Sequence, residues 1–79
     1  MHYQTLMDLA DERAAANGVN YLVACDEVKA LLETRGAKVE VGPHINKQVF
    51  LEVDMDDDLW YIAFSARGAE VIQKSNMIL

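Results

Sequence analysis

The sequence predicts an α+β domain: two N-terminal helices packed on a three-stranded antiparallel sheet, closed by a short C-terminal helix or a fourth strand. Three observations carry this. Apolar residues recur at helical spacing as far as Gly36, the period changes to two beyond it, and turn residues interrupt the alternating runs. With 79 residues the chain reads as one domain, 1–79. A chain this short buries only a little over ~60% of its unfolded surface, so its core is small.

Tyr3, Leu6, Met7, Ala10 and Ala14 fall on one helical face, and Asn17-Gly18 supplies the left-handed residues that end a helix. Thr5 and Asp8 have the spacing of a capping box, which moves the expected start as late as Leu6. The second helix takes Asn20 as N-cap, carries Tyr21, Ala24, Cys25, Val28, Leu31 and Leu32 on one face, and stops at Gly36. A competing reading makes Tyr21–Cys25 a buried strand, because periodicity does not separate short apolar runs.

Beyond Gly36, Ala37, Val39 and Val41 alternate with Lys38 and Glu40 until Gly42-Pro43, where the strand is expected to break. Asn46-Lys47 leads into Val49, Leu51, Val53 and Met55, alternating with Phe50, Glu52 and Asp54. A third strand places Trp60, Ile62 and Phe64 on its heavier face, with Tyr61, Ala63 and Ser65 on the other. Arg67-Gly68 is a turn. Residues 69–79 are expected to form a short helix, with a strand as the alternative.

Thirteen acidic against seven basic residues give a formal charge of −6, which disfavours direct contact with a phosphate backbone and favours a basic partner. Cys25 is the one cysteine, so no intramolecular disulfide forms, and with His2 and His44 alone no zinc spacing exists. Cys25 is read as a small core residue. No apolar run approaches the ~20 residues of a membrane span, and the first residues lack the basic end and apolar run of a signal peptide. The expectation is a cytoplasmic protein with no membrane contact, as a monomer or homodimer.

Four aspartates in five positions, 54 to 58, mark the second hairpin. Asp54, Asp56 and Asp58 match the first three ligand positions of an EF-hand loop, but the sixth position is Leu59 instead of Gly and the twelfth is Ser65 instead of Glu. No metal site is expected. An acid–base pair of carboxylates needs two different environments within a cleft, and a hairpin tip gives every carboxylate the same water. With no phosphate loop and no nucleophile elbow, the reading is of a non-enzyme without cofactor or catalytic residues. The plain reading is a solvated turn, since Asp suits turns and acidic surface aids solubility. Yet a turn needs only one or two Asp, and close carboxylates repel by about 1 kcal/mol per pair at ~4 Å even in bulk water.

If Val49, Leu51 and Val53 face the core, Phe50, Glu52 and Asp54 point outward, beside Tyr61 of the next strand and Glu40 of the one before. Same-face residues are ~6.6 Å apart, so Glu52, Asp54 and Asp56 are expected to form a row of negative charge resembling a phosphate backbone. The candidate partner-binding residues are Glu40, Phe50, Glu52, Asp54, Asp56, Asp57, Asp58 and Tyr61. The alternative leaves Phe50 and Tyr61 covered by the apolar C-terminal segment Met77-Ile78-Leu79.

In size and acidity this motif-free α+β chain resembles the small phage-encoded inhibitors of bacterial defence, the anti-CRISPR proteins, some of which are DNA mimics. That resemblance implies an inhibitor that binds the basic surface of a protein partner such as a CRISPR effector complex. It extends to no motif, so it assigns no residue. A second resemblance rests on Leu31-Leu32-Glu33-Thr34-Arg35-Gly36, a hairpin, and Phe64-Ser65-Ala66-Arg67-Gly68-Ala69-Glu70-Val71-Ile72. It is similar to the later part of winged-helix domains, and implies a small transcriptional regulator with a last helix opened by the Ser-x-x-Gly turn. The helix in the recognition position carries Lys29 and Arg35 against Asp26, Glu27 and Glu33, and the wing tip is Asp56-Asp57-Asp58, which phosphate repels.

Overall fold

Leucine and alanine at four-residue spacing decide how the first helix packs. The computed structural model describes residues 3–73, and in it α1 (Tyr3–Asn17) buries Leu6, Ala10 and Ala14. The small alanines let the helix backbone approach its neighbours closely. The helix ends where Asn17-Gly18 predicts: Gly18 takes φ +57° and its N–H donates to the Ala14 carbonyl at 2.9 Å. Its start is earlier than the capping-box reading places it. Asp8 accepts a hydrogen bond from Gln4 Nε2 at 2.8 Å, one turn back along the helix, and the Tyr3 ring lies 5.9 Å from that of Trp60. That ring contact holds the first turn against the sheet.

The second helix, α2 (Tyr21–Glu33), buries Ala24, Cys25, Val28 and Leu32, so Tyr21–Cys25 is helix and not strand. Asn20 holds the N-cap position through its backbone alone, its carbonyl accepting from Val23 N–H at 3.1 Å and Ala24 N–H at 3.2 Å. A polar junction joins the two helices. Arg13 Nη1 lies 3.2 Å from Glu27 Oε1, which also accepts from Asn17 Nδ2 at 2.9 Å. These side chains are partly solvated, so Glu27→Ala is expected to cost only about 0.5 kcal/mol in urea unfolding. A loss several times larger would mean that the junction sets the helix pairing.

The strands are β1 (Lys38–Ile45), β2 (Gln48–Met55), β3 (Asp58–Ser65) and β4 (Gly68–Gln73), paired antiparallel in the order β1-β2-β3-β4. Val39, Val49, Leu51, Val53, Trp60, Ile62, Phe64 and Val71 turn to the helices and form the core with them. The architecture is thus α+β, two N-terminal helices on a four-stranded antiparallel sheet. Residues 68–73 are the fourth strand, the alternative to the expected helix: Ile62 pairs with Val71 and Phe64 with Ala69, so Val71 fills the core edge. This also corrects the winged-helix reading. Ser65-Ala66-Arg67-Gly68 closes a hairpin, with Ser65 Oγ accepting from Arg67 N–H at 3.2 Å, and opens no helix. The rest of the C-terminal segment, Met77-Ile78-Leu79 included, lies outside the described residues.

A second difference lies at Gly42-Pro43. The strand is not broken there; the register moves from Val41↔Leu51 to His44↔Val49, one residue more on β1 than on β2, which is a β-bulge. Pro43 has no N–H to donate, and an edge strand tolerates that. The bulge interrupts the regular edge of β1 and so opposes pairing with a further strand.

Cys25 is buried at 1% exposure, among the core side chains. Burial, with a smaller contribution from the charge of Asp26, pushes its thiol up to about 11. The native protein is therefore expected to leave a disulfide-exchange reagent such as Ellman's unreacted at mildly alkaline pH, and to react fully once unfolded in guanidinium. Because the folded thiol holds its proton above the unfolded value of 9.0, its contribution is fully present below pH ~9 and is lost as pH rises towards ~11. Cys25→Ala should remove that part of the alkaline loss.

Candidate functional site

Period-two alternation divides every strand between a helix-covered face and one that the described residues leave uncovered. On the uncovered face the register aligns side chains across strands: Glu40 of β1 opposite Glu52 of β2, and Glu52 opposite Tyr61 of β3, with Ile72 of β4 next in the row. One step towards the β2–β3 turn, Lys38, Asp54 and Leu59 align, and one step the other way Phe50, Ala63 and Glu70 do. Of the eight residues expected to form a site, five share this face: Glu40, Phe50, Glu52, Asp54 and Tyr61. Phe50, Glu52 and Tyr61 are half-buried, while Glu40 and Asp54 are exposed.

The aspartate corner divides differently from the expected row. Asp56 and Asp57 are the two central residues of the β2–β3 hairpin, at φ +55° and +66°, the geometry of a type I′ turn. The row of carboxylates along β2 therefore ends at Asp54. Asp58 opens β3 opposite Met55 and shares the strand parity of Trp60, which puts it at the end of the helix-covered face. Strand pairing also brings in a cation that counting along β2 and β3 misses, since Lys38 stands opposite Asp54.

Glu52 lies where two concavities meet. An apolar groove of about 300 Å³ is lined by Gly42, Pro43, Phe50, Glu52 and Tyr61. A second, of about 450 Å³, is lined by Glu33, Lys38, Glu40, Glu52 and Asp54. Phe50 and Tyr61 sit diagonally across the β2–β3 pair, ~7–8 Å apart at the backbone, and both line the groove. The bulge makes the opposite wall. A Cβ on Gly42 would fit tightly, 3.3 Å from the Phe50 carbonyl oxygen and 3.4 Å from its Cβ, so a side chain there requires β2 to give by a few tenths of an ångström.

Among the described residues, Glu40 and Glu52 make no ion pair, whereas Arg13 pairs with Glu27 and Lys29 with Glu33 at 3.0 Å. The cations of α2 and its neighbour are thus engaged with carboxylates on the helical layer. Lys47 and Arg67 occupy the two turns at the far end of the sheet, around a concavity of about 410 Å³. The sheet therefore carries basic turns at one end and an acidic turn at the other.

Sequence reasoning missed Gly42, Pro43, Lys38 and Glu70. For Gly42-Pro43 a signal existed, because this pair inside an alternating run marks an edge bulge as well as a strand end. Glu70 was hidden by the helical reading of its segment. Among the described residues no group of three or more His, Cys, Asp or Glu is arranged to hold a metal ion, and no helix is long and apolar enough to cross a membrane. Comparison with protein families, curated proteins and solved structures finds no match to this chain.

Proposed function

We propose that this chain is a non-enzymatic binding protein that docks its uncovered acidic sheet face onto the basic, nucleic-acid-binding surface of a larger protein and blocks it. The observation that carries this is the cross-strand row Glu40–Glu52–Tyr61, with Phe50 and Asp54 beside it, on a face that neither helix covers. Aromatic side chains anchor interfaces, and complementary charge speeds and orients encounter. Carboxylates spaced along and across strands present to a basic groove what a phosphate backbone presents. Inhibition of a CRISPR effector complex, or a similar anti-defence role, is the form of the proposal that the chain's small size and acidity support.

The test is capture of partners from the native host with the tagged protein, repeated with the triple variant Glu40→Lys, Glu52→Lys, Asp54→Lys. All three positions lie outside the core, so the variant is expected to keep its circular dichroism. It should lose a nucleic-acid-binding partner that the unmodified chain captures and that DNA or heparin displaces. The same partner retained by the variant would refute the acidic face as the docking surface. Sequence-preferring retention of genomic DNA fragments by the pure chain, in a gel shift at low salt, would instead favour a small transcriptional regulator.

A further inference from the structure

We infer that the groove between Gly42-Pro43 and the rings of Phe50 and Tyr61 takes an arginine side chain of the partner, with Glu52 as its counter-ion. This rests on the docking function proposed above and names the chemistry of its central contact.

Three features point to arginine. The first is charge. Glu40 and Glu52 stand directly opposite each other across β1 and β2, an arrangement of like charges that destabilises a strand pair. Neither carboxylate is in an ion pair among the described residues, so a cation seated beside Glu52 relieves this repulsion as well as pairing with it. The second is the walls. A cation within about 6 Å of an aromatic face is attracted by the ring, and a planar guanidinium stacks there while its fork of N–H groups engages a carboxylate with two parallel hydrogen bonds. A lysine ammonium offers neither the plane nor the fork. The third is size: at about 300 Å³ the groove lies at the lower limit of the ~300–1,000 Å³ of small-molecule pockets, suited to a single side chain. A divalent cation fits poorly, since it needs several converging oxygens and the described residues hold no such group.

The experiment is a titration of the isotope-labelled chain with hexa-arginine and with hexa-lysine peptides at low salt, followed by amide NMR. Hexa-arginine is expected to bind at least about fivefold more tightly, as stacking and bidentate pairing predict. Its shifts should centre on Gly42, Phe50, Glu52 and Tyr61. Phe50→Ala, which removes a ring outside the core, and the isosteric Glu52→Gln should each abolish the preference for arginine with the NMR spectrum of the fold otherwise retained. Equal affinity for the two peptides, or an arginine preference that survives both variants, overturns the inference. Shifts centred on Asp56 and Asp57 overturn it too, yet leave docking onto a basic surface standing. Binding of neither peptide overturns both.

Discussion

Phe64→Ala is expected to cost the domain about 3–5 kcal/mol of stability. Phe64 is wholly buried on β3, with Val49 of β2 and Ala69 of β4 as its register neighbours, and it is the largest of the fully buried side chains. Removing the ring deletes contacts to both neighbouring strands and leaves a cavity that a core this small has little means to close. At ~0.05–0.15 kcal/mol per residue, a chain of this length has a total stability of about 4–12 kcal/mol. The expected loss is therefore about a quarter or more of that total. Urea unfolding followed by circular dichroism measures it. A loss below about 1.5 kcal/mol would mean that the helices close over the site and that the core is more plastic than interiors of ordinary packing density.

Strand parity was legible in the sequence; strand register was not. Val49, Leu51 and Val53 alternate with Phe50, Glu52 and Asp54, so which residues of β2 face outward follows from the period alone. Which residues oppose them depends on the turns and on the bulge at Gly42-Pro43, a tertiary matter. Hence Glu40 beside Glu52 was anticipated, while Lys38 opposite Asp54 was not. The aspartates from 54 to 58 look like one cluster along the chain, but a two-residue turn within them sends Asp54 and Asp58 to opposite faces of the sheet. β4 escaped because its core contribution is mainly Val71, with Ala69 partly buried and Ile72 turned outward, and so short an alternation carries almost no periodic signal. What makes it a strand is the edge of β3, which leaves unpaired backbone groups for β4 to satisfy.

The two type I′ turns offer the clearest separation of conformational strain from charge repulsion. Lys47 sits at φ +60° in the β1–β2 turn and Asp57 at φ +66° in the β2–β3 turn, each the second central residue of its hairpin, where glycine is preferred. Both residues are exposed, so replacement changes no packing. Lys47→Gly and Asp57→Gly are each expected to stabilise the domain by about 0.5–1 kcal/mol, because relief of the left-handed conformation outweighs the entropy that glycine gains in the unfolded chain. The turns lie at opposite ends of β2, roughly 25 Å apart at ~3.3 Å per residue, so the gains should add in the double variant to about 1–2 kcal/mol. Salt separates the causes. The Lys47→Gly gain is conformational and should be nearly insensitive to ionic strength. Asp57→Gly also removes one of three consecutive carboxylates, so its gain should be larger in low salt and shrink as the Debye length falls from about 30 Å at 0.01 M to about 3 Å at 1 M. Equal salt dependence in the two variants would mean that repulsion in the aspartate turn is already offset by nearby groups. A destabilised Asp57→Gly would mean that this carboxylate makes a specific contact that holds the turn.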